Sequence, residues 1–111
     1  MKSYLCLQRN LPGGEQRQPS PTQMQEMYAK FGEWQEKFKS NITDMGGKLG
    51  TGKVVGKDQA LDGPFVEVKD LVGGYMIIAA NSLDEAAVVA NECPGLVGPG
   101  SGCEIIEIHR P

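Results

Sequence analysis

The sequence predicts an α+β fold of the ferredoxin-like, split βαβ kind, an antiparallel sheet with two helices on one face. Three observations predict it. Two segments open with sharp helix-start signals, at Ser20 and Ser82, and each lies between short stretches of strand character. Fifteen glycines and seven prolines punctuate the chain into short elements. The elements run β-α-β-(β)-β-α-β, and residues 1–111 are one domain's worth of chain.

Residues 3–9 read as the first strand, with Leu5 and Leu7 on one face and Tyr4, Cys6 and Gln8 on the other. A loop of turn formers occupies 10–19. Ser20-Pro21-Thr22-Gln23 then announces a helix: Ser20 can cap it, Pro21 suits its first position, and Gln23 can reach back as in a capping box. Met24, Met27, Tyr28, Phe31, Trp34 and Phe38 follow at the spacing of one buried helical face. Residues 41–61, with Gly46, Gly47, Gly50 and Gly52, read as short bent strand with bulges, and 65–69 as a short antiparallel partner. Gly73-Gly74 is expected to break the chain before Tyr75–Ala80, a strand apolar on both faces and hence central. Ser82-Leu83-Asp84-Glu85 reads as a second capping box, opening a helix that continues to Cys93 and stops at Pro94-Gly95. Cys103–Arg110 is the final strand.

Two helices on one face leave the other face of the sheet bare. The expected arrangement puts Ile106 and Ile108 under the helices. Ile105, Glu107 and His109 then share the bare face with Tyr4, Cys6 and Gln8. Such a face is an association surface, and it predicts a homodimer joined through the open sheet face.

Composition narrows the function. Hydrophobic residues at 40% and charged residues at 23% are those of a globular chain. A net charge of −3 and the lack of any basic cluster argue against a nucleic-acid partner, which needs positive surface. No window approaches the ~18 apolar residues of a membrane span, and the first residues lack the apolar core of a signal peptide. The expectation is a cytoplasmic protein with no membrane partner. Cys6, Cys93 and Cys103 form neither a disulfide framework nor a metal-binding pair, and read as small buried hydrophobes. Gly95–Gly102 lacks the lysine and following helix of a phosphate loop, and Gly50-Thr51-Gly52-Lys53 lacks the rest of that pattern. No cofactor is implied.

The segment Asp62-Gly63-Pro64-Phe65-Val66-Glu67-Val68-Lys69, followed by Gly73-Gly74-Tyr75 and an apolar strand, resembles the signature of DGPF-domain proteins of the YCII-related superfamily. The resemblance extends over nearly the whole chain and is weakest over 41–61. It implies a ferredoxin-like fold of the dimeric α/β-barrel type. It also implies a family largely without assigned function. Some relatives act on small aromatic or lactone-like compounds with a His–Asp pair, and DGPF members are often associated with sigma factors and transcription. Residues 20–39 contain no histidine, so the relatives' catalytic histidine has no counterpart here; the chain's single histidine is His109.

The candidate site residues follow. Asp62 can close an Asx-turn with its own backbone, or serve as a general base or ligand-binding carboxylate. Glu67 and Lys69 share a strand face, as a solvated ion pair or as the wall of a polar pocket. His109 is a candidate proton carrier. Trp34 and Phe31 pack in the core or line an aromatic pocket, and Tyr75 joins them as a candidate ligand contact. Three classes of function stay open: a small-molecule-binding or regulatory domain, an enzyme of lyase, isomerase or hydrolase type using Asp62, and a ligand-free interaction protein.

Overall fold

The computed structural model describes residues 1–10, 20–57, 60–61, 72–94, 96–98 and 100–110. Its elements are β1 (Lys2–Asn10), α1 (Pro21–Lys37), β2 (Ile42–Lys48), β3 (Val54–Val55), β4 (Ala60–Leu61), β5 (Val72–Ala80), α2 (Leu83–Asn91) and β6 (Ser101–Ile108). β2, β5, β1 and β6 lie side by side in that order, every neighbouring pair antiparallel. This is the ferredoxin-like sheet, with β5 and β1 in its interior. β3 and β4 pair apart from it. The expected strand at 65–69 lies outside the described residues.

Local chemistry accounts for the helix ends. The Ser20 hydroxyl accepts from Gln23 N and the Gln23 carboxamide accepts from Ser20 N, a complete capping box with Pro21 at the first helical position. At α2 the Ser82 hydroxyl accepts from Glu85 N, but the Glu85 carboxylate reaches one residue further back, to Asn81 N.

Both helices meet the face that carries Tyr4, Cys6, Met76, Ile78 and Ala80, which with Trp34, Ala86, Val89 and Cys93 make the core. Tyr4 is 1% and Cys6 0% exposed, whereas Ile106 is 42% exposed. The predicted faces are therefore exchanged. Tyr4, Cys6 and Ile105 do share a face, as the register Cys6↔Ile105 requires, but it is the helix-covered one. The physical reason is size matching: α2 presents Ala86, Val89 and Ala90, and large side chains from the sheet fill the space beneath these small ones. Leu5, Leu7, Ile77, Ile106 and Ile108 form the open face.

Two further expectations change. β5 begins at Val72 and runs through Gly73-Gly74 without a break. A Cβ at Gly74 would stand 3.0 Å from the Gly47 carbonyl oxygen, and one at Gly73 would stand 3.4 Å from Gln8 Oε1. These glycines admit close neighbours rather than turn the chain. In α1, Trp34 is the buried residue; Met24, Met27 and Tyr28 are exposed, so only the C-terminal half of the apolar stripe packs on the sheet. The bulges expected at 41–61 are present: β2 shifts register against β5 on either side of Asp44, and Gly46 has φ 67°.

Candidate functional site

At the end of the sheet where β1 finishes and β5 begins, a cavity of about 360 Å³ opens on the helix-covered side. Each wall has a local cause. Gln8 continues the buried Tyr4–Cys6 face of β1 and reaches over Gly73, where the missing side chain leaves it room. Met76 follows on the same face of β5. Phe31 comes from α1, its ring 5.6 Å from that of Trp34. Met45 and Lys48 come from β2, and Gln35 Nε2 on α1 donates to the Met45 sulfur at 3.7 Å, tying that wall to the helix. Leu96 closes the side beyond α2.

The lining is mostly apolar, with Gln8 and the exposed Lys48 as its polar side chains. This is the composition of a small-molecule site, in which apolar walls supply burial and a few polar atoms fix orientation. Cys93 also lines the cavity. Burial, and next the charge of nearby Cys103, push its thiol up to about 11. It is therefore a neutral apolar wall near neutral pH rather than a nucleophile.

The sequence-derived candidates fall in different places. Asp62, Glu67 and Lys69 lie outside the described residues. Tyr75 contributes to the cavity lining, and its hydroxyl lies 3.5 Å from Asp44 Oδ2. Phe31 is in the wall. Trp34 is behind it, 3% exposed, its indole N–H donating to the Val89 carbonyl at 2.9 Å. That carbonyl belongs to the last turn of α2, where a helix leaves acceptors unpaired, so Trp34 fastens α1 to α2. His109 lies at the other end of the sheet. Ile108 pairs with Ser3 and the cavity begins at Gln8, five residues or about 17 Å along β1. The imidazole is 84% exposed, with Nε2 3.8 Å from Glu107 Oε2. Gln8, Met45 and Lys48 are the residues that sequence reasoning missed. The one available signal was Gln8, a polar residue continuing an otherwise apolar strand face.

Among the described residues, no group of three His, Cys, Asp or Glu is placed to hold a metal ion. No helix among them is long and apolar enough to cross a membrane.

The fold and the cavity together define a class: a ferredoxin-like α+β domain, of the kind seen in dimeric α/β-barrel proteins, with a small cavity at one end of its sheet. The YCII-related domain family matches residues 2–109, and the chain belongs to that family. No curated protein matches the sequence. Among solved structures, the chain is similar to 5-chloro-2-hydroxyhydroquinone dehydrochlorinase from Burkholderia phenoliruptrix in complex with 2,5-dihydroxybenzoquinone. The likeness covers 98% of this chain and 95% of the other at 21% identity, with a TM-score of 0.51. It shows a shared fold.

Proposed function

We propose that this DGPF-type, YCII-related domain binds a small, partly apolar molecule in the cavity bounded by Gln8, Phe31, Met45, Lys48, Met76 and Leu96. The observation that carries the reading is the Gln8 carboxamide placed over Gly73 in a mostly apolar wall, since polar groups are held at such positions to orient a ligand. A volume of about 360 Å³ suits a single substituted ring. Lys48 favours a ligand bearing an acidic hydroxyl or carboxylate. The regulatory role that the family resemblance implies would follow if occupancy of this cavity were read by a protein partner. The apolar open face, with Leu5, Leu7, Ile77, Ile106 and Ile108, is proposed to join two copies of the chain.

Thermal-shift measurement against a panel of hydroxylated and carboxylated ring compounds tests the reading. A ligand at ~100 times its Kd adds ~2.7 kcal/mol, which at this size raises Tm by roughly 4–8 °C. Gln8→Ala should abolish the shift while leaving the protein folded. A folded Gln8→Ala protein that keeps the full shift overturns the proposed site.

A second reading, an enzyme of lyase, isomerase or hydrolase type, is favoured by one observation: the structural neighbour is a dehydrochlorinase bound to a dihydroxybenzoquinone. Asp62 would then act as general base. In that case compounds that raise Tm are also consumed, and Asp62→Ala stops consumption while keeping the thermal shift.

A further inference from the structure

Cys6 is far in sequence from Cys93 and Cys103, and all three are free thiols. The fold gathers them. β1 and β6 are neighbours, and the register Cys6↔Ile105 and Gln8↔Cys103 makes Cys6 and Cys103 diagonal neighbours on one face of the sheet. The two thiols lie close enough to influence each other's proton, as does the Leu7 backbone for Cys103, and the Cys103 S–H also donates to the Glu104 carbonyl at 3.7 Å. Cys93, just past the end of α2, lies close enough to feel the charge of Cys103.

Access divides the pair. Cys6 is fully buried. Cys103 is half-buried and belongs to the wall of a groove of about 500 Å³ between α2 and β6, with Ala87, Val88, Asn91, Val97 and Ile105. A molecule as small as a peroxide can reach Cys103 through that groove. Electrostatics divides the pair in the same sense. The neighbouring Cys6 thiol, helped by the Leu7 backbone, lowers the Cys103 thiol below its ordinary value. The same pairing, reinforced by burial, raises Cys6. One sulfur is the better thiolate and is reachable; the other is held against it as a neutral thiol.

We propose that Cys103 and Cys6 form a peroxide-oxidised dithiol site, with Cys103 the attacking thiol and Cys6 the resolving one. The Cys103 thiolate attacks one peroxide oxygen and breaks the O–O bond. This forms Cys103 S–OH and releases hydroxide, which takes a proton to become water. The Cys6 sulfur then attacks the Cys103 sulfur, the S–O bond breaks, and the departing hydroxide takes the Cys6 proton. Two thiols and one peroxide become one disulfide and two waters. Diagonal neighbours in a sheet have Cα atoms about 7–8 Å apart, slightly beyond the usual disulfide span of about 4.4–6.8 Å. Closure therefore needs β6 to slide about an ångström along β1, which shortens the diagonal without bringing the paired strands closer. β6 stands at the edge of the four-stranded sheet, with a neighbour on one side, and an edge strand can make that shift. The resulting bond is reducible by ordinary dithiols. The inference stands on the β1–β6 register and is independent of the ligand reading above.

The test is to treat the native protein, freed of reductant, with hydrogen peroxide. The free-thiol count should fall from three to one with loss of two hydrogens from the intact mass, without a covalent dimer, and dithiothreitol should reverse both changes. Digestion with trypsin and chymotrypsin, the latter cutting after Leu96 between Cys93 and Cys103, should then link the peptide that holds Cys6 to the one that holds Cys103. Cys93→Ala should oxidise like the wild type. In Cys6→Ala the disulfide should be lost and a dimedone adduct should appear on Cys103. The proposal is overturned if peroxide leaves all three thiols free, if the link joins Cys93, or if dimedone marks Cys93 instead. Peptide mapping of the wild type decides the pairing even if a cysteine variant fails to fold.

Discussion

Trp34 shows how one side chain can serve two elements. It fills the core beneath Phe31 and Phe38, with ring centroids 5.6 and 6.2 Å away, and gives its N–H to a carbonyl at the end of α2. Cys93 shows a second residue-scale effect, through its proton. Its folded thiol is raised from 9.0 to about 11, chiefly by burial. The unfolded chain therefore ionises first and binds fewer protons above pH 9, so stability falls as pH rises. The contribution is intact below about pH 9, declines between pH 9 and 11, and is gone above the folded value. Two pKa units are worth roughly 3 kcal/mol. Urea midpoints measured from pH 8 to 11 should drop less in Cys93→Ala than in the wild type. The Cys6–Cys103 pair is present in both proteins and largely cancels from that difference.

Among the elements, β2 and β5 illustrate how irregularity is built in. Asn41 continues the β2–β5 pairing beyond the strand: its carbonyl accepts from Ala79 N at 2.6 Å and its carboxamide donates to the Ala79 carbonyl at 2.8 Å. Further along, Asp44 Oδ1 accepts from Gly46 N at 2.8 Å, an Asx-type turn that supports the bulge. Gly46 has positive φ, and a Cβ there would fall 1.8 Å from the Tyr75 carbonyl oxygen. Next to it, a Cβ on Gly47 would meet nothing within 4 Å. Gly46→Ala should therefore cost at least about 3 kcal/mol by the combined clash and strain. Gly47→Ala should stay within about 1 kcal/mol of wild type. Urea denaturation of the two variants checks the contrast.

For the whole molecule, the decisive feature is a sheet whose described helices cover one side. Helices shield Tyr4, Cys6 and Ile78, while Leu5, Leu7, Ile77 and Ile106 lie on the side that no helix among the described residues covers. Arg9 and Glu104 pair on that open side at 2.6 Å, a partly exposed bridge worth at most about 1 kcal/mol. A contiguous apolar patch of this kind favours association. Light scattering at micromolar concentration should give twice the 12.0 kDa mass of one chain. Ile106→Glu should return it to one chain with little change in helix content, because Ile106 is not part of the core. A wild type that scatters as a single chain refutes the sheet-to-sheet dimer.

Much of the architecture was legible in local chemistry. The capping signals at Ser20 and Ser82, the turn formers between elements and the apolar run of 75–80 specify element types and order, because each acts over a few neighbouring residues. The order alone then selects the ferredoxin-like sheet, and the Asp62–Tyr75 segment points to the YCII-related family. What strand alternation left open is which side of the sheet is inside. In Cys103–His109, Ile105 and Ile106 are adjacent, so both faces look apolar and a period of two cannot choose between them. Only the small α2 surface, which takes Tyr4 and Trp34 beneath it, decides. The same holds for the cavity and the cysteines. Gln8 meets Gly73 only across the β1–β5 pairing, and Cys6 meets Cys103 only across β1–β6. Contacts between residues about 65 and 97 positions apart depend on strand register, which long-range packing sets and local sequence does not encode.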